Sequence, residues 1–404
     1  MSHRGTPGLM KHLNRSSILS LLREQGPLSR SDLARRLGLS PSTVTRIVVQ
    51  LIEEGLVLET ETVDSATGRK PTLLEFNYKA GAVIGVDVGG TTVVSVVADL
   101  RGDILFRKDI PVRSGNARSD NLENVLTVIG ELQQTPGIPP ERIRGIGLAV
   151  PSVVKEPDGI VVWAPALGWR DLHLKALLEE RFGLPSVVEN DVNLAALGES
   201  RYGCAQGVKN LVAIFVGTGV GGGLILNGDL YRGQGGAAGE LGYLLPTPAD
   251  LGQTYDQFGR FETLAAGPGI AQRAKAALAA GEASILADAD PLTAREVFQA
   301  AREGDALANR VIRETVDYLA QAIANVATVL NPEMVVLGGG VARSGDLLLE
   351  PIKERVKGTI PVMPEIVLSE LGDEAVVQGA VALAIGATRD DVFVRDAKLS
   401  VAAT

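Results

Sequence analysis

The chain has 404 residues, 45% of them hydrophobic and 22% charged, an ordinary globular balance with length enough for two or three domains. Its 47 glycines follow no Gly-X-Y period, which excludes collagen and low-complexity disorder and places the surplus in tight turns. A single cysteine, Cys204, and three histidines, His3, His12 and His173, exclude a disulfide framework, a cysteine zinc cluster and a histidine metal cage.

The net charge of −9 is unevenly spread. Residues 1–79 hold 11 basic against 8 acidic side chains, and the remainder 28 against 40. A small basic head on an acidic body is the balance expected when only the head meets a polyanion. No charged-then-apolar leader opens the chain. The most apolar stretches, 81–100 and 211–226, are interrupted by Asp87 and Asp99 or by a glycine run, so neither reads as a membrane span. A soluble, cytoplasmic protein is expected.

In chain order, residues 13–25 place Ile18, Leu19, Leu21 and Leu22 at helical spacing and stop at Gly26-Pro27. Ser29-Arg-Ser-Asp32 reads as a capping box that opens a short helix with Leu33, Ala34 and Leu37 inward. Gly38-Leu39 turns the chain. Ser40 then caps a third helix with Pro41 at its first position. There Val44, Ile47, Val48 and Leu51 form the inner stripe, Ser42 and Arg46 point the opposite way, and Thr43 and Thr45 flank them. Two helices joined by a tight turn, the second opening on small polar residues and an Arg, make a helix-turn-helix. Arg46 suits a guanine, and the hydroxyls suit bases or phosphates. Residues 56–61 and 72–76 read as a hairpin wing whose tip carries Arg69 and Lys70, placed for the minor groove or the phosphate backbone.

After Ala80 the pattern becomes α/β. Strands are expected at 83–87 and 93–98, around the turn Val88-Gly-Gly-Thr-Thr92. Gly89 and Gly90 would let amides approach a phosphate, and Asp87 would hold a water-bound Mg²⁺. Ser186 to Val188 reads as a strand leading through Glu189-Asn-Asp-Val-Asn193 into a helix. A carboxylate there would take a proton from an attacking alcohol while the amide orients a sugar; simple N-capping by Asn190 or Asp191 explains the same letters. A second glycine turn, 217–223, is expected between strands 211–216 and 224–226. A strand follows it where a dinucleotide fingerprint needs a helix. A third, Leu337-Gly-Gly-Gly340, closes a strand at 334–337 after the long helix 305–330. Three glycine turns at strand ends suit a nucleotide cleft between two lobes.

In this order, Asp87-Val-Gly-Gly-Thr91, Glu189-Asn-Asp-Val-Asn193, Gly217-Thr-Gly-Val-Gly221, Gly236-Ala-Ala-Gly-Glu-Leu-Gly242 and Leu337-Gly-Gly-Gly340 resemble the ROK family of sugar kinases and repressors. With the winged head in front, the chain resembles its repressor branch. The resemblance implies an α/β fold in which a winged helix-turn-helix precedes a two-lobed actin/hexokinase-like (ribonuclease H-like) body. The implied head spans 1–79, the first lobe 80–192 plus about 376–404, and the second lobe 193–375, with sugar-binding and dimerisation elements. It implies sugar contacts from Asn190, Asp191, Glu240, Tyr243 and Glu262, with Asp191 as catalytic base if the protein is a kinase. The implied nucleotide contacts are Asp87, Gly89, Gly90, Thr91, Thr218, Gly219, Gly338 and Gly339.

The chain departs from that pattern at three places. Ala166 replaces an Asn in Pro165-Ala-Leu-Gly-Trp169, and Thr92 stands where the kinases carry Lys or Asn. The four zinc-ligand positions hold Tyr243, Gln253, Tyr255 and Arg260, so no metal is expected, because zinc needs thiolate or imidazole donors. The resemblance further implies a sugar or sugar-phosphate effector, a palindromic double-stranded DNA operator contacted by Ser42, Thr43, Thr45, Arg46, Arg69 and Lys70, and a homodimer or homotetramer away from any membrane. The alternative is an ATP-dependent sugar kinase with an appended head, with Mg-ATP as its cofactor.

Overall fold

The computed structural model describes residues 7–60, 72–112, 120–255 and 258–388. The head opens with α1 (Pro7–Gln25), a short β1 (Leu28–Ser29), α2 (Arg30–Leu37) and α3 (Pro41–Glu53). Ser29 caps α2 with the full reciprocal box to Asp32, and Gly38 ends it in the left-handed conformation that glycine adopts freely. Ser40 accepts from the Thr43 amide to cap α3, with Pro41 in the first turn. Val44, Ile47, Val48 and Leu51 are buried, together with Ile18, Leu19 and Leu22; Leu21 is only half-buried.

The wing is β2 (Val57–Thr60) against β3 (Leu73–Phe76), which also takes β1 on its other edge. Both strands are shorter than expected. Leu56 lies in the turn that leaves α3, where its amide bonds the Leu51 carbonyl. Arg69 and Lys70 lie outside the described residues.

The body holds two five-stranded sheets. The first is built from β4 (Ala82–Val88), β5 (Thr92–Asp99) and β6 (Ile104–Pro111), then α4 (Asn121–Leu132) and β7 (Ile143–Val150). A small antiparallel sheet of β8 (Val154–Lys155), β9 (Ile160–Ala164) and β10 (Trp169–His173) precedes α5 (Leu174–Phe182) and β11 (Ser186–Asn190). Strand order is β11-β7-β4-β5-β6, with β7 parallel to both β4 and β11. Helix α6 (Asp191–Tyr202) then leads to β12 (Leu211–Val216), β13 (Val220–Leu226) and β14 (Asp229–Leu230). The helices α7 (Glu262–Ala265), α8 (Gly267–Ala279), α9 (Ala294–Arg302) and α10 (Ala306–Leu330) precede β15 (Met334–Gly338), α11 (Gly345–Val356), β16 (Glu365–Leu368) and α12 (Ala375–Ala387). The second sheet runs β14-β13-β12-β15-β16.

Two boundaries differ from the sequence reading for one reason. The second glycine turn covers only Gly217 to Gly219, and β13 already begins at Val220. Gly221, Gly222 and Gly223 are strand residues. A Cβ on Gly221 would lie 2.6 Å from the Val192 side chain, on Gly222 2.7 Å from Leu241, and on Gly223 2.6 Å from Ala196. These glycines let α6 and the segment near Leu241 sit directly on the strand. In the same way Gly379 of α12 faces the Leu194 carbonyl of α6, where a Cβ would fall 1.8 Å from the oxygen.

Helix α12 packs on α6, β4 and β7. Its Val377, Val381, Ala384 and Ile385 share one apolar cluster with Val83, Val96, Leu100 and the core of the head. Head and first sheet are therefore joined through a continuous interior. Among the described residues no helix is long and apolar enough to cross a membrane.

Candidate functional site

The outer face of α3 presents Ser42, Thr45 and Arg46, all exposed, and adds Val49, which is 43% exposed. Their spacing of three, four and seven residues from Ser42 puts them in one stripe. Three other arginines of the head are tied down by carboxylates. Arg15 forks onto Glu54, Arg30 bonds Glu59 at 2.6 Å, and Arg35 bonds Asp32 at 2.6 Å. Arg46 forms no ion pair among the described residues, which leaves its guanidinium available for an external acceptor. Thr43 is half-buried, and its hydroxyl lies 2.8 Å from Ser40 Oγ within the cap. It is therefore a capping residue before it is a contact. Val49 was missed because a lone apolar residue on a polar face breaks the binary pattern, although its seven-residue step from Ser42 marks the stripe.

The second constellation gathers where β4, β7 and β11 end. Asn190 is the N-cap of α6: its Oδ1 accepts from the Asn193 amide at 3.0 Å, and its Nδ2 donates to Asp191 Oδ1 at 3.0 Å and to the Ser152 carbonyl at 3.3 Å. Both explanations of the motif therefore hold together, since the capping amide also fixes the carboxylate beside it. Asp191 is lifted to about 6, chiefly by burial, with the Glu240 charge adding to it and the Val192 amide and Asn190 opposing. Asp87, at the end of β4, is pushed up to about 7 by burial and then by Asp191.

Burial against the surrounding protein raises the Glu240 carboxyl. Burial and the Glu240 charge raise Glu262, against the pull of the Val220 amide, which donates to its Oε2 at 2.9 Å. Tyr243, 53% exposed, is raised by burial and by the Glu240 and Glu262 charges. Asp87, Asp191, Glu240, Tyr243 and Glu262 are thus linked, each through the charge of a neighbour, into one acid-rich cluster.

Glycines fit Glu262 into place. A Cβ on Gly219 or on Gly242 would lie 2.8 Å from its Oε2. The candidate phosphate turns are divided between the sheets. Gly89, Gly90 and Thr91 form the exposed β4–β5 turn, and a Cβ at Gly90 would meet open space. Thr218 and Gly219 follow β12, while Gly338 and Gly339 close the neighbouring β15, where Gly339 packs on the Val216 carbonyl.

A ROK family model matches residues 83–387, and a MarR family model matches residues 13–64. The chain belongs to the ROK family. It is 29% identical to the xylose repressor of Caldicellulosiruptor bescii over 388 residues, 94% of this chain and 97% of that protein. It is 38% identical to the glucokinase of Halalkalibacterium halodurans over 309 residues, 73% of this chain and 92% of the kinase. Among solved structures, a ROK family transcriptional regulator homologous to the Escherichia coli MLC protein superposes with a TM-score of 0.82 at 30% identity, covering 96% of this chain and 98% of that one. The repressor and regulator match nearly end to end, whereas the glucokinase matches the body.

Within this ROK chain the segment from Tyr243 to Arg260 departs from a metal clasp. Arg260 Nε bonds Asp250 Oδ1 at 2.7 Å, and Asp250, only 5% exposed, also accepts from the Thr247 amide and hydroxyl at 2.9 and 2.8 Å. Gln253 Nε2 bonds the Ala249 carbonyl at 2.9 Å. A guanidinium, an amide and two phenols at the four positions do not suit zinc. Among the described residues no group of three or more His, Cys, Asp or Glu side chains is placed to hold a metal.

A second feature carried no local signal. Glu189, 2% exposed, forms an ion pair with Arg232 and also accepts from the Asn190 amide at 2.8 Å and Asn193 Nδ2 at 3.0 Å. The pair ties the end of β11 to the segment after β14, 43 residues on. Only the folded chain brings them together.

Proposed function

We propose that this protein is a sugar-responsive DNA-binding transcriptional repressor of carbohydrate-use genes, with an effector seated in the acid-lined recess of the body. One observation carries the reading: a single chain combines a solvent-facing stripe of Ser42, Thr45 and Arg46 with the convergence of Asp191, Glu240 and Glu262. Buried carboxylates and carboxamides suit sugar hydroxyls, because an unpaired buried polar group costs about 1–3 kcal/mol. Asn190 contributes by orienting Asp191, and Tyr243 offers a phenol at the rim. End-to-end similarity to proteins named as repressors supports the assignment of the head.

In this reading two heads of a homodimer or homotetramer grip a palindromic operator with half-sites about 34 Å apart, or a multiple of that, in the cytoplasm. The effector shifts operator affinity only by its differential affinity for the two arrangements of the molecule, typically about 1–3 kcal/mol. The test is an operator mobility shift at fixed salt with a panel of monosaccharides, alongside ATP turnover on the same sugars. A sugar-dependent shift without turnover supports the regulator; no double-stranded DNA binding at low ionic strength overturns it.

A second reading, an ATP-dependent sugar kinase, is favoured by one feature, the Asp87–Asp191 carboxylate pair. A divalent cation with a nucleotide would relieve their repulsion, and Asp191 would serve as base toward a sugar hydroxyl. The open turn at Gly89, Gly90 and Thr91, with Thr218, Gly219, Gly338 and Gly339, would receive the nucleotide. Thr92 supplies no phosphate-facing cation there. Turnover that Asp191→Ala abolishes would establish this reading.

A further inference from the structure

Helix α6 begins at the acid-rich cluster and ends at the turn between β5 and β6. Asn190 caps it, Asp191 is its first residue and Tyr202 its last. Twelve residues of α-helix span about 18 Å. The helix is seated too closely to bend: Gly221 and Gly223 bring β13 against it, and a Cβ on its own Gly198 would lie 2.2 Å from the Ala375 carbonyl of α12. A displacement at Asp191 therefore reaches Tyr202 as a rigid shift, since close-packed interiors transmit strain rather than absorb it.

Tyr202 meets the turn between β5 and β6. A Cβ on Gly102 would be 2.5 Å from its Cζ and hydroxyl oxygen, and the backbone there has φ +104°. That turn is itself stiff, because Asp99, 4% exposed, accepts from the amides of Arg101, Gly102 and Asp103 at 2.8, 3.1 and 3.1 Å. The turn also grips the head. The Leu100 amide donates to the Tyr78 carbonyl at 3.1 Å, the Arg101 guanidinium lies 4.4 Å from the centre of the Tyr78 ring, and the Tyr78 hydroxyl donates to the Arg23 carbonyl of α1 at 3.1 Å. Burial raises the Tyr202 phenol, and the nearby Arg23 charge opposes that rise.

We propose that α6 couples the recess to the DNA-binding head, with Tyr202 bearing on the Asp99–Asp103 turn as the contact that passes the movement on. Tyr202 touches neither effector nor DNA in this scheme. It is a positioning residue, and the proposal rests on the repressor reading above.

The experiment measures operator affinity of the full chain with and without D-xylose and D-glucose, for the wild type, Tyr202→Leu and Tyr202→Phe. Sugar affinity is measured separately by calorimetry without DNA. A wild-type shift of about fivefold or more, the lower end of ordinary allosteric couplings, establishes the repressor reading on which the coupling depends. Tyr202→Leu is then expected to bind the sugar alone and the operator alone within about threefold of wild type, yet to show less than a twofold shift between the two. Tyr202→Phe, which keeps the ring over Gly102, retains most of the shift. A Tyr202→Leu protein whose operator affinity still responds like wild type overturns the proposal while leaving the repressor reading intact. A wild type that binds operator but ignores both sugars, or a Tyr202→Leu protein that loses either separate affinity, counts against the coupling role as stated.

Discussion

The charge of Asp191 adds to burial in lifting the Asp87 carboxyl to about 7, so two acids at the ends of β4 and β11 are held where neither ionises freely. Their separate positions are 104 residues apart in the chain, and the parallel pairing of β4, β7 and β11 brings them together. Acids left in mutual repulsion at strand ends mark a recess shaped for something other than its own stability.

That relationship sets a pH dependence with a definite sign. Asp87 and Asp191 rise from the usual 3.8 to about 7 and about 6 on folding. The folded state therefore binds more protons than the unfolded one between those limits. The stability they contribute is complete below about pH 4 and is lost as pH rises through about 6 to 7. Carboxylates such as Asp32 and Asp250, held low by Ser29 and Thr247, act in the opposite direction. The informative quantity is thus a difference: Asp87→Asn should flatten the fall in unfolding free energy, measured in urea, between about pH 4.5 and 7.5 by an amount on the order of 1 kcal/mol. An unchanged pH profile in the variant would show that Asp87 ionises normally in the fold.

Arg46→Ala should cost about 1–3 kcal/mol of base discrimination at one operator position per half-site. Operators substituted singly across the half-site, titrated at one salt concentration, would reveal it. Equal weakening on every operator would assign Arg46 to phosphate alone.

Arg260→Met removes the partner of a nearly buried Asp250. Removing one member of such a pair is destabilising, less so where the partner reaches solvent, and the Arg260 side chain is 37% exposed. A lower urea midpoint than wild type is expected, with weakened sugar binding through displacement of Glu262 two residues on. Addition of EDTA to the wild type should leave its Tm where it was, because the clasp is an ion pair. A chelator-induced drop in Tm would reveal a metal.

Gly379→Ala forces a Cβ to within 1.8 Å of the Leu194 carbonyl. The helix pair α6–α12 must separate, at a cost of about 1–3 kcal/mol or more. Equilibrium unfolding measures it directly, and an alanine variant as stable as wild type would mean the two helices pack with slack.

Much of the head could be read from its letters because its signals are local. Ser29 with Asp32, Ser40 with Pro41, and Gly38 each act within four residues, and the stripe from Val44 to Leu51 follows the helical period. The ordered motifs of the body were legible in the same way, and the charges of Asp191, Glu240 and Glu262 act on one another or on Tyr243. Relationships that need the finished fold were not legible. Arg232 reaches Glu189 across 43 residues, and Tyr202 reaches Gly102 across a hundred. The run Gly221 to Gly223 misled because a glycine letter marks both a turn and a close approach, and here the approach of α6 decided.

The interior shared by α3, Leu100 and α12 bears on how such a protein can be re-engineered. A reader domain on a slack tether can be exchanged like a plug. Here the seam near Ala80 runs through the hydrocarbon of both parts, so a transplanted head would arrive with its base unsealed. Chimaeras that exchange residues 1–79 alone should be poorly soluble, and those that carry the β5–β6 turn along with the head should hold together.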